Sequence, residues 1–323
     1  MAPSGAADSL SAMRPVAARS GQRGELWHRI KRNRWGYLFI SPFFILFAIF
    51  GLFPPLFAFY LSFHKWDIMN PMQFVGLANY SRVLGDQLFW KAFINNIIFV
   101  IAEAVPELAL SLLIAYLLDS YTRRLRNALL AAYFSPMVTS SVAVAIIFGL
   151  MYGVNFGLIN AGLRMLGVPP VRWLTEPVPM KLALIFLLLW RWLGWNTVLY
   201  LAGLQSISHD YYEAARVDGA NGMQVFLRIT VPLMRPTILY TTILGIIGTL
   251  QLFAEPYLLT LEGGLGGGSL GGRANSLLTM VMYLYQNGFG YFRFGYASAI
   301  AYVMFVIVLA FSLANVRLIG QAD

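Results

Sequence analysis

Long apolar runs separated by short polar joints dominate the chain. From Trp35 to Phe63 there is no charged residue, and comparable runs place helices at about 36–62, 92–118, 128–151, 181–204, 236–259 and 295–318. Each supplies the ~20 apolar residues that a ~30 Å hydrocarbon core requires. The pattern therefore predicts an all-α polytopic membrane protein with about six transmembrane helices, in which Pro54-Pro55 kinks or ends the first and residues 35–323 form one membrane domain. Ala274 to Phe292 is also free of charge, but its strongly apolar part ends at Tyr285, before Gln286-Asn287-Gly288. That length predicts a short interfacial or re-entrant helix rather than a seventh span.

One polar joint is organised differently from the others. Within the loop of residues 205–235, Asp210 to Leu233 reads as helix, glycine break, helix, proline. Asp210 is expected to cap the first helix with Glu213 reaching back as in a capping box, and Ala214 and Ala215 leave that helix without bulk. Gly219 permits a left-handed turn, Asp218 or Asn221 starts the second helix, and Pro232 is expected to stop it.

Composition agrees with burial in lipid: hydrophobic residues make up 59% of the 323 and charged residues 11%, where a soluble domain carries about a quarter charged. The net charge of +9 does not point to nucleic acid, because the excess is concentrated in residues 1–34 and no recognition element accompanies it. That basic tail reads as flexible and cytoplasmic, followed by an uncleaved first span rather than a signal peptide. Arg14, Arg19, Arg23, Arg29, Lys31, Arg32 and Arg34, with Arg123, Arg124, Arg126, Arg216, Arg228, Arg235 and Arg317, fall on one side of a six-span topology and outnumber those on the other. The bias places the N-terminus and the 205–235 loop in the cytoplasm. There are no cysteines, and three histidines in no metal-binding pattern.

Charges inside the spans are the candidate chemistry. Glu103 and Glu107 are spaced to share one side of a helix that Pro106 distorts, and Arg191 sits at similar depth in Trp190-Arg191-Trp192-Leu193-Gly194-Trp195-Asn196. Isolated mid-bilayer charge costs at least ~2.5–3.5 kcal/mol, so these groups either line a solute passage or form a Glu–Arg ion pair between helices. Trp195, Asn196, Gln251 and Glu255 are further candidates for the passage. Gly149, Gly153 and Gly157 have the spacing of a close helix-packing motif. The glycine-rich run from Gly263 to Gly272 accommodates no phosphate-loop pattern and reads as a flexible outer loop.

Glu213-Ala214-Ala215, Gly219, Ile229 and Pro232, with Val231 where leucine is usual, resemble the EAA loop of membrane-spanning permease subunits of bacterial ABC importers. The Asp218-Gly219-Ala220 triplet resembles the carbohydrate-type branch. Phe74-Val75-Gly76-Leu77-Ala78-Asn79-Tyr80, Gly157-Leu158-Ile159-Asn160 and the Phe253–Gly264 segment extend the resemblance, although the proline expected after Gly264 is missing. The resemblance implies a type I permease fold in a bacterial inner membrane. It further implies a cytoplasmic coupling helix in which Glu213, Ala214, Ala215, Asp218, Gly219 and Ala220 dock on an ATPase subunit dimer that binds the ATP and magnesium, with no cofactor on this chain. A second permease subunit, as heterodimer in preference to homodimer, and an extracytoplasmic binding protein for a sugar-like solute complete the implied assembly. The rival reading is an ion-coupled secondary transporter using Glu103 and Glu107, which predicts an inverted repeat that the sequence does not show.

Overall fold

The computed structural model describes residues 31–119, 123–262 and 270–320. Most of the basic tail and residues 263–269 of the glycine-rich run lie outside them. Among the described residues, five helices are long and apolar enough to cross a membrane, and a bent pair makes a sixth if counted as one span. The chain divides into a unit up to Phe57 and a unit from Ala58 onward.

Helix α1 (Arg34–Ser62) is not broken by its prolines. Pro54 and Pro55 have no N–H to give the preceding turn, and a π-helical stretch at Phe47–Leu52 takes up the register just before them. The helix then continues to Ser62. Within the first unit the rings of Phe43 and Phe47 stack at 6.3 Å, and those of Phe53 and Phe57 at 5.6 Å.

In the second unit a two-residue hairpin, β1 (His64–Lys65) with β2 (Gln73–Phe74), pairs antiparallel and leads through α2 (Ala78–Gly85) to α3 (Gln87–Asp119). Asp86 caps α3 by accepting the Leu88 N–H at 2.9 Å. Pro106 inside α3 is again preceded by a π-helical stretch, Val100–Ala104. Then follow α4 (Arg123–Val138), α5 (Ser141–Met151), α6 (Leu158–Met165) and α7 (Pro177–Gln205).

The predicted single span at 128–151 is two helices, α4 and α5, bent by 96°. Its cause is local. Pro136 cannot bond Ala132 O, which instead accepts Ser135 Oγ at 2.9 Å, and the chain turns extended at Ser140. The expected close-packing motif also takes another form. Gly153 and Gly157 lie beyond the end of α5, and a Cβ on Gly157 would strike the Gly153 and Met151 carbonyls, so they close a tight turn rather than a helix-helix seam.

Helix α7 is the central strut. Met180, Ala183, Leu184, Leu187 and Leu188 are buried on it, and Gly194 lies so close to α4 that a Cβ there would overlap the Tyr133 carbonyl. Within the polar loop, α8 (His209–Val217) and α9 (Gly222–Leu233) lead into α10 (Arg235–Leu250). The predicted span at 236–259 is present as Arg235–Leu261, with the non-helical residues 251–253 dividing it into α10 and α11 (Ala254–Glu262). A short helix, α12 (Met280–Tyr285), precedes the long α13 (Phe294–Gly320).

The break in the fifth span exposes helix-terminal carbonyls that lipid cannot hydrogen-bond. Asn96 on α3 satisfies it, donating to Thr249 O at 2.7 Å while its Oδ1 accepts the Met280 N–H at 2.9 Å. Thr279 Oγ1 donates to Leu252 O at 2.7 Å. Beside it, Asn95 donates to Asn275 O and Leu278 O and accepts Lys181 Nζ at 2.9 Å. Two consecutive asparagines thus hold the broken helix and the segment before α12 against α3.

Candidate functional site

Two places gather the candidate residues. The first is a cavity of about 140 Å³ enclosed by α3, α7 and α10, with Glu103, Glu107, Trp192, Trp195, Asn196 and Thr249 on its wall. Glu107 is held from two helices: Asn196 Nδ2 donates to its oxygens at 2.9 and 2.8 Å and Ser111 Oγ donates at 3.1 Å. Glu103 accepts Thr249 Oγ1 at 3.3 Å. Both carboxyl groups are buried, and no Lys, Arg or His is among the residues lining the cavity.

The expected Glu103–Arg191 pair does not form. Arg191 Nε lies 3.5 Å from Glu255 Oε1, and its Nη2 donates to Thr139 O at 3.3 Å. Both partners sit at helix breaks, Thr139 between α4 and α5 and Glu255 at the start of α11, so the guanidinium goes where broken helices leave an acceptor. Its Nε and Nη1 find no hydrogen-bond partner among the described residues. Gln251 is likewise apart from the cavity: it is exposed and faces Val281, Leu284 and Met304. The sequence reading missed the α10 wall, formed by Thr241, Leu244, Gly245, Gly248 and Thr249. Its signal was available, since small and polar residues recur there at helical spacing.

The second place is the polar loop. Ser208, not Asp210, caps α8, its Oγ accepting the Asp210 N–H at 3.3 Å. The capping box lies instead on α9, between Asn221 and Gln224. Gly219 has φ +75°, and Ala220 N–H bonds back to Ala215 O at 2.9 Å, the closure that a left-handed residue permits. Pro232 does not end α9, which runs to Leu233 after a π-helical stretch at Phe226–Thr230. Ala215 and Val225 are buried beneath the loop, whereas Glu213, Ala214, Val217 and Asp218 are exposed, Val217 by 87%. Phe226 rests on Tyr116 of α3 with ring centroids 4.8 Å apart.

Apolar helices around a partly polar cavity, joined by an exposed helical loop seated on the helices that form it, define an integral-membrane solute permease. Residues 83–319 match the family described as binding-protein-dependent transport system inner membrane component, and the chain belongs to that family. It is 34% identical over 95% of its length, and 95% of the relative's, to the arabinooligosaccharides transport system permease protein AraP of Bacillus subtilis. It is 36% identical to the lactose transport system permease protein LacF of Rhizobium radiobacter, over 86% of this chain and 91% of the other. With the trehalose/maltose transport system permease protein MalF of Thermococcus litoralis it shares 33% identity over 90% and 95%. A crystal structure of a bacterial ABC transporter that imports the acidic polysaccharide alginate has the same fold, with a TM-score of 0.78 at 24% identity, covering 93% of this chain and 99% of that one.

Proposed function

We infer that this chain is the membrane-spanning subunit of an ATP-driven, binding-protein-dependent importer of a sugar or sugar-like solute. Three relatives named for arabino-oligosaccharides, lactose and trehalose/maltose support the substrate class. In this reading the N-terminus and the α8–α9 loop are cytoplasmic in an inner membrane, and a separate ATPase dimer carries ATP and magnesium. A second permease chain, a sister subunit rather than a copy, completes the passage. A binding protein delivers the solute from outside.

The observation that carries the reading is the construction of the loop. Glu213, Ala214 and Val217 lie at i, i+1 and i+4 on α8, exposed and without bulk beside the carboxylate, which is a face a partner can approach closely. The opposite side of the loop is fixed to the membrane helices through Ala215, Val225 and the Phe226–Tyr116 contact. Tyr116 and Glu107 are both on α3, nine residues or about 13 Å apart at 1.5 Å per residue. Displacement of α8 by a closing ATPase is therefore passed by packed side chains to the helix that carries both cavity carboxylates. The cavity, below the ~300–1,000 Å³ of small-molecule pockets, is the passage in a constricted state.

The test is co-purification. An ATPase subunit is expected to co-purify with the full chain, to be lost on Glu213→Arg, and to be retained with Asp67→Asn, in the β1–β2 connection outside the loop. Retention of the ATPase by Glu213→Arg would remove the docking role.

A further inference from the structure

Gly245 and Gly248 have no structural explanation in the packing of this chain. Glycine destabilises a helix interior relative to alanine, so its presence there calls for a reason. On α7, the other long helix of the cavity wall that carries glycines, the reason is visible: a Cβ at Gly194 would run into the Tyr133 backbone, and one at Gly203 would come within 2.8 Å of Met234 Cε, whereas glycines with open space such as Gly36, Gly85, Gly162 and Gly222 line no cavity described above. Gly219 needs its positive φ. Gly245 and Gly248 meet none of these conditions. They lie inside α10, have no positive φ, and a Cβ added at either finds nothing within 4 Å. What lies beside them is the cavity, which both line.

The same cavity is lined from α7 by Trp192, Trp195 and Asn196 and from α3 by Glu103 and Glu107. Aromatic faces and carboxylate acceptors are the groups that bind the two aspects of a pyranose, its flat C–H face and its hydroxyl edge. A glycine wall opposite a ring is the thinnest wall that a helix can present. The charge of the lining narrows the choice of solute. In either protonation state Glu103 and Glu107 offer no cation to an anion, and none of the lining residues is basic.

We propose that Gly245 and Gly248 set the width of a slot in which an uncharged sugar ring passes between α10 and the Trp192–Trp195 face of α7, and that this slot refuses anionic sugars. The proposal rests on the cavity being the solute passage. Glycine is kept here for the solute, at the expense of helix stability.

The experiment uses the full chain, purified with whatever subunits accompany it, and reads tryptophan fluorescence on titration with lactose, maltose, trehalose and the anionic digalacturonate. Gly245→Ala, Gly248→Ala and Gly248→Leu are compared with wild type, and each is also melted. A neutral disaccharide is expected to change the fluorescence of wild type, and digalacturonate is not. Gly248→Leu is expected to weaken neutral-sugar binding about ten-fold or more, and the alanine variants less, while their melting temperatures hold or rise. A residue kept for packing would give the opposite: alanine would lower the melting temperature or release the accompanying subunits, and either result overturns the proposal. Neutral-sugar binding unchanged in Gly248→Leu, or digalacturonate bound as tightly as neutral sugars, overturns it while leaving the passage intact. Absence of a response to all three neutral sugars in wild type overturns the passage reading itself, and the slot with it.

Discussion

At the scale of single residues, the strongest constraints are polar groups answering broken backbone. Asn96→Leu would take the Asn96 amide from Thr249 O and Met280 N–H. An average interhelical side-chain hydrogen bond in a membrane protein is worth ~0.6 kcal/mol; Thr249 O keeps the Leu252 N–H at 3.3 Å, whereas the Met280 N–H loses its acceptor, and one unmet buried group costs about 1–3 kcal/mol. A loss in that range is expected, measured as a lower melting temperature in detergent. Gly194→Val is expected to cost about 1–3 kcal/mol and to lie near the upper end, because the obstacle is the Tyr133 backbone rather than a side chain that can swing away. Asp86 gives a pH signature. Burial pushes its carboxyl up, but donors from Tyr283, Tyr296 and the N–H groups of Leu88 and Phe89 outweigh burial and hold it below 3.8. A group lowered on folding adds stability above its unfolded value and loses it as pH falls through the folded one. Asp86→Asn is therefore expected to melt earlier than wild type near pH 7, with the difference closing as the pH falls below the ordinary carboxylate range.

At the scale of elements, the sequence showed where helices lie better than where they break. Apolar length alone marks α3, α7 and α13, because a run of that length with only one to three charges inside it has no other stable state in lipid than a helix. The 96° bend between α4 and α5 and the break after Leu250 were not legible. The first turns on Pro136, which by itself marks no break, since Pro54, Pro55 and Pro106 lie inside continuous helices; the second turns on a partner distant in sequence, Asn96 for Thr249 O, of which periodicity carries no trace. The same long-range dependence explains the ion pair. Similar depth in the membrane pointed to Glu103 as the partner for Arg191, whereas the break in the fifth span brings Glu255 to it instead. In the polar loop, the left-handed turn at Gly219 was readable because it is local chemistry, whereas the start of α9 was left open between Asp218 and Asn221 and the capping box was expected at Asp210–Glu213 rather than at Asn221–Gln224. The cap on α8 moved from Asp210 to Ser208 by two residues, the span over which such boundaries shift. Ala215 is expected to bear on the seating of this loop. Ala215→Trp would replace a buried small side chain with one that lifts α8 from the helices beneath, so ATPase activity should persist while sugar uptake by the assembled transporter falls.

At the scale of the whole molecule, we propose that α3 takes up force at one end and bears the solute at its middle. Its exposed end must therefore lie on the side of the membrane where ATP is. The natural chain has no cysteine, so a single Asn221→Cys substitution in the α8–α9 loop gives one thiol to follow, at an exposed position. The decisive measurement is labelling of that thiol by a membrane-impermeant maleimide in intact cells and in cells made permeable. The account predicts labelling only after permeabilisation. Labelling of intact cells to the same extent would put the loop outside, away from any ATPase, and would contradict it.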